Sequence, residues 1–298
     1  REEKNGYSGY QQLFMGDNDC NPAAMKEIIF PIRQDGLKAR AYAGTTYLVS
    51  AATIGGMPYA STGDPWKCMF ARENLIEKFF PNKNDIPKAT VDDVLKNPSK
   101  EQVIAKDSEK GISTADVIAK AKDDRALLYM GVGGCEEGKV RTINPGEAIT
   151  GPLNGASFVK WSNLHADGST QHDQNYSDTD FPVFRLAEIY LTRAEAKYRL
   201  GQDGLDDILK VQDRAHRASK ATSVNEQTLI DEWCREFFME GRRRSDLVRF
   251  GLYTGSKYLW SFKGGAEKGA GVPSYYNIYP IPDNEIKNNP NMTQNPKY

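Results

Sequence analysis

The chain has 298 residues, 39 % of them apolar and 27 % charged, enough to bury a sizeable core in one large domain or two ordinary ones. Its 39 Lys and Arg stand against 40 Asp and Glu, a net charge of −1 that argues against the clustered positive field of a nucleic-acid surface. Fifteen Tyr and four Trp among 26 Gly suggest aromatic side chains carried on loops.

The chain opens on REEKNGYSGY, with no Met, no basic stretch and no apolar run. No signal peptide or membrane span is expected here, which fits either a cytosolic protein or a fragment whose targeting segment lay upstream. Cys20, Cys68, Cys135 and Cys234 form no C-x-x-C pair, so zinc is not expected and a disulfide cannot be deduced. KEIIFPI (26–32) reads as a buried strand ended by its proline. IGGMPYASTGDPW (54–66) is crowded with turn residues and reads as a loop. FARENLIEKFF (70–80) reads as a helix stopped by Pro81, followed by weaker helical patches around Val91 and Val117. FVKW (158–161) is a short strand candidate, and SNLHADGSTQHDQNYSDTD (162–180) a polar loop.

Helices order the chain after residue 180. Apolar or small residues at 183, 187, 190, 191, 194 and 198 make one helical stripe, with polar residues at 185, 188, 192, 195 and 199 opposite. Pro182 suits the first turn of that helix and Gly201 its C-terminal cap. The small Ala187, Ala194 and Ala196 let another helix approach closely. Glu188 and Glu195 fall on the polar stripe within reach of Arg185 and Arg199, as ordinary ion pairs of about 0.2–0.5 kcal/mol each. A second helix follows through Leu205, Ile208, Leu209 and Ala215. A third starts at the capping-box pattern SVNE (223–226) and runs to Phe238. Arg242 to Arg244 then follow a helix C-terminus, where cations suit the dipole, and Asp283 is placed to cap a short turn. The short connections make successive helices antiparallel neighbours.

FPVFRLAEIYLTRAEAKYRLG (181–201), DEWCREFFMEGRRRSDLVRFG (231–251) and YPIPDNEIKNNPNMTQNPKY (279–298), in this order, resemble the C-terminal half of a SusD/RagB family protein. KEIIFPI and DDRALLY (123–129) match further family segments. One departure is Trp233, where the family usually has Arg. The resemblance implies a mainly α fold: tetratricopeptide-like antiparallel helix pairs, a long loop-rich segment and a few short β-strands. It divides the chain into a loop-rich ligand-binding part, 1–180, and a helical block, 181–298, within one family domain whose N-terminal half lies outside this chain. It further implies a non-enzymatic, surface-exposed outer-membrane lipoprotein. Such a protein binds oligosaccharide or another nutrient and delivers it to a SusC-like TonB-dependent transporter, through a lipid anchor outside this chain and without a cofactor.

The residues carry no enzyme motif of the G-x-S-x-G, H-E-x-x-H or Walker type. GVGGCEEG (131–138) reads as a turn rather than a phosphate cradle, and the spacing of His165 and His172 is no metal signature. A sugar ring needs a flat aromatic for its C–H face and planar polar groups for its hydroxyl edge. Trp66, Tyr59, Asp64 and Arg72 supply these types in one short segment, with Tyr47 just before it. Trp161 and the Trp260, Tyr275 and Tyr276 segment are rival positions. Two other classes stand beside the glycan binder: a glycoside hydrolase using Asp64, Asp173 or Asp178, and a helical-repeat scaffold that binds peptides.

Overall fold

A computed structural model describes residues 3–54, 57, 61–87, 114–130, 149–151 and 155–298. The helical patch expected near Val91, the glycine-rich stretch 131–138, Cys135 and Tyr59 lie outside the described residues. The chain forms two compact units, Arg1–Met239 and Glu240–Tyr298. Among the described residues no helix is long and apolar enough to cross a membrane.

The first unit contains α1 (Pro22–Met25), β1 (Ile28–Ile32), α2 (Thr45–Ala52), α3 (Glu73–Phe79), α4 (Thr114–Ala121), β2 (Leu128–Tyr129), β3 (Ser157–Phe158), β4 (Phe181–Arg185), α5 (Leu186–Arg199), α6 (Leu205–Arg214) and α7 (Glu226–Phe237). The strands make two antiparallel ribbons, β1 with β4 and β2 with β3. β1 forms where expected, but it is not a buried strand: Ile29, Phe30 and Ile32 are exposed, and Pro31 sits inside it, opposite Pro182 of β4. A two-stranded ribbon consists only of edges, which is where a proline without an N–H is tolerated. Pro182 therefore belongs to a strand, and α5 starts at Leu186 rather than at Pro182.

The end of α5 follows the sequence. Gly201 takes φ +71°, and the N–H of Gln202 reaches back to the Lys197 carbonyl, a glycine-dependent C-terminal cap. Ala194 is fully buried, and a Cβ placed on Gly204 would fall 2.6 Å from its carbonyl oxygen, so the start of α6 lies directly on the backbone of α5. The N-cap of α7 is Asn225, whose side chain accepts the Thr228 N–H, and not Ser223. Asn serves as well as Ser at this position and stands next to the helix.

The polar stripe of α5 is only partly solvated, with Thr192 and Arg199 exposed. Arg185 is buried, and Glu195 accepts hydrogen bonds from the Trp233 indole at 3.1 Å and from Arg199 at 2.8 Å. Trp233, the departure from the family pattern, thus fills a buried site and satisfies a buried carboxylate. Around it lies a network of buried charge. Arg125 binds Asp123 at 2.8 Å and also holds Glu232 and Glu236 of α7. Arg185 and Arg214 both hold Glu27 and Glu236, and Arg217 and Arg235 complete the set on Asp123 and Glu232. Burial alone would raise the Glu232 carboxyl, but Arg125 and Arg235 outweigh it and hold the pKa down at about 2. Asp123 and Glu236 are depressed in the same sense, by Arg125 and Arg214 respectively against burial.

The apolar core packs beside this network. Phe14 meets Trp161 edge to face and Trp161 stacks on Phe181, with ring centroids 5.0 and 5.3 Å apart, and the Trp161 indole donates to the Met239 carbonyl at 3.0 Å. Phe238 meets Phe79 and Phe158 at 6.0 and 5.8 Å. Trp161 is therefore a core residue.

The second unit contains α8 (Arg243–Arg249) and α9 (Asp283–Asn288). Arg242 to Arg244 open a helix instead of following one, and Asp246 pairs with Arg249 at 2.8 Å. Asp283 is the first residue of α9, not its cap. Arg244 lies over the rings of Tyr279 and Tyr253, at 3.7 and 4.8 Å, and the Tyr298 hydroxyl donates to the Ile278 carbonyl at 2.8 Å, which pins the chain end.

Ala194→Leu should destabilise the first unit by about 1–3 kcal/mol, because the α6 backbone occupies the space that the added methylenes need; denaturant melts measure it, and unchanged stability would refute the close approach. A second expectation concerns acid. The Glu232 carboxyl lies below its ordinary value of 4.5, so its stabilisation is complete above that pH and fades as pH falls towards about 2. Thermal melts across that range should show a steep loss, reduced in Glu232→Gln, whose wild-type reference is the less acid-resistant of the two below pH 4.5 in relative slope.

Candidate functional site

The segment carrying Trp66 is held by the end of α2. A helix leaves its last carbonyls without intrahelical partners. Here the N–H groups of Trp66, Lys67, Cys68 and Met69 take up the carbonyls of Ser50, Thr53 and Ala51 at 2.8–3.1 Å. The Trp66 indole N–H donates to Asp64 Oδ2 at 2.8 Å, which fixes the plane of the ring. Tyr47 projects from the exposed side of α2, and its ring centroid lies 5.8 Å from that of Trp66.

Two further tyrosines join from other segments. Asp35 organises the approach to the first, with one carboxylate oxygen accepting the N–H groups of Leu37, Lys38 and Ala39 at 2.7–2.9 Å, bonds that lower its pKa. This turn leads to Arg40 and Tyr42. The Tyr42 ring lies 6.3 Å from Trp66 and 4.8 Å from Tyr176, and a hydrogen bond to Tyr176 raises the pKa of the Tyr42 hydroxyl. Arg40 covers the Tyr176 ring at 4.7 Å and lies 3.9 Å from Asp173.

The result is a strip of four rings in the order Tyr176, Tyr42, Trp66, Tyr47. Successive rings are inclined by 41°, 42° and 58°. Tyr42 and Tyr47 are 54 % and 42 % exposed, while Trp66 and Tyr176 are half-buried. Arg40 and Asp64 stand beside the rings as polar neighbours.

The polar loop 162–180 is built around two buried side chains. Asn163 donates to the carbonyls of Asp173 and Tyr176 at 2.8 and 3.2 Å and accepts the Asp178 N–H at 2.7 Å. Asp178 Oδ2 receives the His172 N–H at 2.9 Å and faces the rings of His165 and His172 at 3.0 and 3.3 Å. The hydrogen bond to Asp178 raises the His165 pKa. These histidines therefore face a buried carboxylate that shapes the loop, and among the described residues no His, Cys, Asp and Glu group is arranged to hold a metal ion. The Ser177 N–H donates to Thr46 and the Gly63 N–H to the Gln174 carbonyl, at 3.0 and 2.9 Å, so the three ring-bearing segments are tied to one another.

Of the expected residues, Trp66, Tyr47 and Asp64 come together. Arg72 stands at the N-cap position of α3, just past the Ala71–Ala156 bridge. Trp161 is withdrawn into the core, and Trp260 stacks on Tyr253 at 5.8 Å within the second unit. Tyr42 and Tyr176 were not singled out by their sequence context. For Tyr176 a signal was there: a large aromatic in the polar stretch DQNYSDTD has little core to fill.

Comparison with known proteins agrees with this architecture. The sequence profile of the SusD family matches residues 26–298. The chain is 52 % identical over 296 residues to the starch-binding protein SusD of Bacteroides thetaiotaomicron, covering 98 % of this chain and 52 % of that protein. It thus spans about half the length of this curated relative. A SusD-like protein of Bacteroides fragilis superposes with a TM-score of 0.58 at 18 % identity, over 100 % of this chain and 58 % of that one. The surface glycan-binding protein A of B. thetaiotaomicron gives 0.57 at 17 % identity, over 96 % and 54 %. In complex with laminarihexaose it gives 0.53 at 16 % identity, over 90 % and 52 %. With this mainly α, tetratricopeptide-like fold and a family match that begins before β1 and runs to the last residue, the chain belongs to the SusD family.

Proposed function

We propose that the chain is the glycan-binding part of a non-enzymatic cell-surface nutrient-binding protein. The observation that carries this reading is the partly exposed strip of mutually inclined rings, Tyr176, Tyr42, Trp66 and Tyr47, edged by Arg40 and Asp64. All of these residues lie within 1–180, the part expected to hold ligand. Flat rings cover the apolar C–H faces of sugars, and the inclined arrangement suits a curved chain such as an α-glucan better than a straight one. The starch-binding relative supports the same substrate class. Delivery to a SusC-like TonB-dependent transporter, and attachment to the outer membrane by a lipid anchor outside this chain, complete the proposal on the strength of the family.

The hydrolase alternative loses its candidates to loop building. Asp64 is engaged by the Trp66 indole, Asp173 by the N–H groups of Asn175 and Tyr176, and Asp178 by two histidines. A glycosidase needs two carboxyl groups facing each other across the scissile bond, and these three each serve the fold.

Trp66→Ala and Tyr42→Ala should each weaken binding of maltooligosaccharides at least about tenfold, equivalent to ~1.4 kcal/mol, with little change in melting temperature. Titration calorimetry on the same samples, with laminarihexaose for comparison, decides it; unchanged binding in both variants would remove the strip from the function. Asn163→Ala should act differently. It strips partners from buried backbone groups, at a cost of about 1–3 kcal/mol, and so should lower the melting temperature and weaken binding together through displacement of Tyr176.

A further inference from the structure

His165 sits among carboxylates at the foot of the loop that carries Tyr176. Its side chain is 9 % exposed and lies against Gly16, where an added Cβ would collide with the imidazole. Asp178 faces the ring from the loop, Asp167 from its own turn and Asp17 from the segment before α1. Lys4 adds its charge to Asp167, and the His172 ring stands 6.4 Å away.

The hydrogen bonds around the ring fix its protonation. The Ser169 hydroxyl has one proton and gives it to Asp167 Oδ1 at 2.6 Å, a bond that holds the Asp167 carboxyl below its ordinary value. Ser169 Oγ can then only accept from His165 Nδ1, 2.8 Å away, so Nδ1 carries a proton. On the other side, Nε2 lies 3.0 Å from Asp178 Oδ2. That oxygen already accepts the His172 main-chain N–H and has only lone pairs to offer, so Nε2 carries a proton as well. On this network the ring is an imidazolium.

Its charge meets a buried one. Asp178 is 3 % exposed, and among the described residues its ion-pair partners are His165 and His172. His172 is 56 % exposed, so water screens its charge, and His165 is the partner that balances the carboxylate in the interior. Asp178 Oδ1 has no hydrogen-bond partner and occupies the space that a Cβ on Gly36 would need. Asp178 thus touches the turn that leads to Arg40 and Tyr42, and it is joined through Asn163 to the Tyr176 carbonyl.

We propose that His165, as an imidazolium, is a positioning residue of the aromatic strip: its charge seats Asp178, and Asp178 sets both Tyr176 and the turn before Tyr42. This role rests on the glycan-binding reading of the strip and makes that binding depend on a proton. Loss of the proton leaves a buried carboxylate without its compensating charge, and the loop relaxes away from the rings. The sign follows from the His165 pKa, which the Asp178 hydrogen bond raises above 6.5. The seat is complete below that pH and is lost as pH climbs through the raised value. Asp35 and Asp167 titrate below 3.8 and the Tyr42 hydroxyl above 10, so histidine is the side chain beside the strip that changes charge in between.

The test uses the full polypeptide, labelled with nitrogen-15 histidine for NMR, with maltooligosaccharide affinity measured by calorimetry from about pH 6 to about pH 9. His165 should show two protonated nitrogens at the acid end and titrate above its ordinary value. Affinity should fall at least about fivefold over the same span, the low end of ordinary coupling between sites. Saturating oligosaccharide should raise the pH at which His165 titrates, because coupling is reciprocal. Asp178→Asn, which keeps the shape and needs no cation, and His165→Gln should each make the affinity independent of pH, and His172→Gln should leave the dependence in place. A His165 ring with one bare nitrogen at the acid end overturns the proposal. So does an affinity that stays flat while His165 titrates, or a pH dependence that disappears in His172→Gln and survives in His165→Gln. If no oligosaccharide binds at any pH, it is the glycan reading that fails. Amide exchange of residues 176–178, expected to speed up as His165 loses its proton, then decides the role of His165 without a ligand, and exchange that ignores that titration overturns it.

Discussion

The first unit depends on Glu236. Its carbonyl accepts hydrogen bonds from the Tyr10 hydroxyl, Lys160 and Arg185 at 2.8, 3.1 and 2.9 Å, and its carboxylate is held by Arg125, Arg185 and Arg214. One buried residue of α7 thus gathers the start of the chain, the segments around residues 125 and 160, the end of β4 and the end of α6. Loop-rich chain buries little continuous apolar surface, so long-range order there has to come from specific polar contacts. Removing one partner from a buried pair leaves an uncompensated charge, at a cost of about 3–5 kcal/mol. The arrangement is therefore a strong constraint on geometry, whatever its net contribution to stability.

The same logic, on a smaller scale, holds the aromatic strip. Its segments have almost no regular structure except α2, and they are fixed by hydrogen bonds to main-chain groups: the last carbonyls of α2 receive residues 66–69, Asp35 collects three N–H groups ahead of Tyr42, and Asn163 clamps the loop that ends in Tyr176. Rings positioned this way lose little conformational freedom when a ligand arrives, which is how a flat, open site gains affinity without burying much area. The carboxylates and histidines that could suggest catalysis are part of this framework.

The charge network and the strip are joined through Trp161 and Asn163. Lys160 reaches the carbonyl of Glu236, Trp161 packs on Phe14 and Phe181, and two residues later Asn163 organises the binding loop. A single stretch from 160 to 163 therefore leads from the buried frame to the surface.

Several elements were determined by the sequence alone. The 3.6-residue periodicity and Gly201 marked α5, the spacing of Leu205, Ile208 and Leu209 marked α6, and the three long C-terminal motifs marked the family, because these signals are local and repeat within a few residues. Trp66, Tyr47 and Asp64 were legible as a candidate site for the same reason. Only the tertiary structure decided the fate of residues whose partners are distant. Arg185 and Glu195 carry the pattern of a solvated helix face, yet they are buried, Arg185 with its charge met by Glu27 and Glu236 and Glu195 accepting the Trp233 indole N–H, all far away in the sequence. Ile29 and Phe30 carry the pattern of a buried strand, yet they are exposed on a ribbon that has, among the described residues, just the two strands β1 and β4. Trp161 went to the core and Tyr176 to the aromatic strip, although both stand near the same polar loop. Which aromatic is buried and which is offered to a ligand depends on what the remainder of the chain places against it, and periodicity along a single segment does not contain that information.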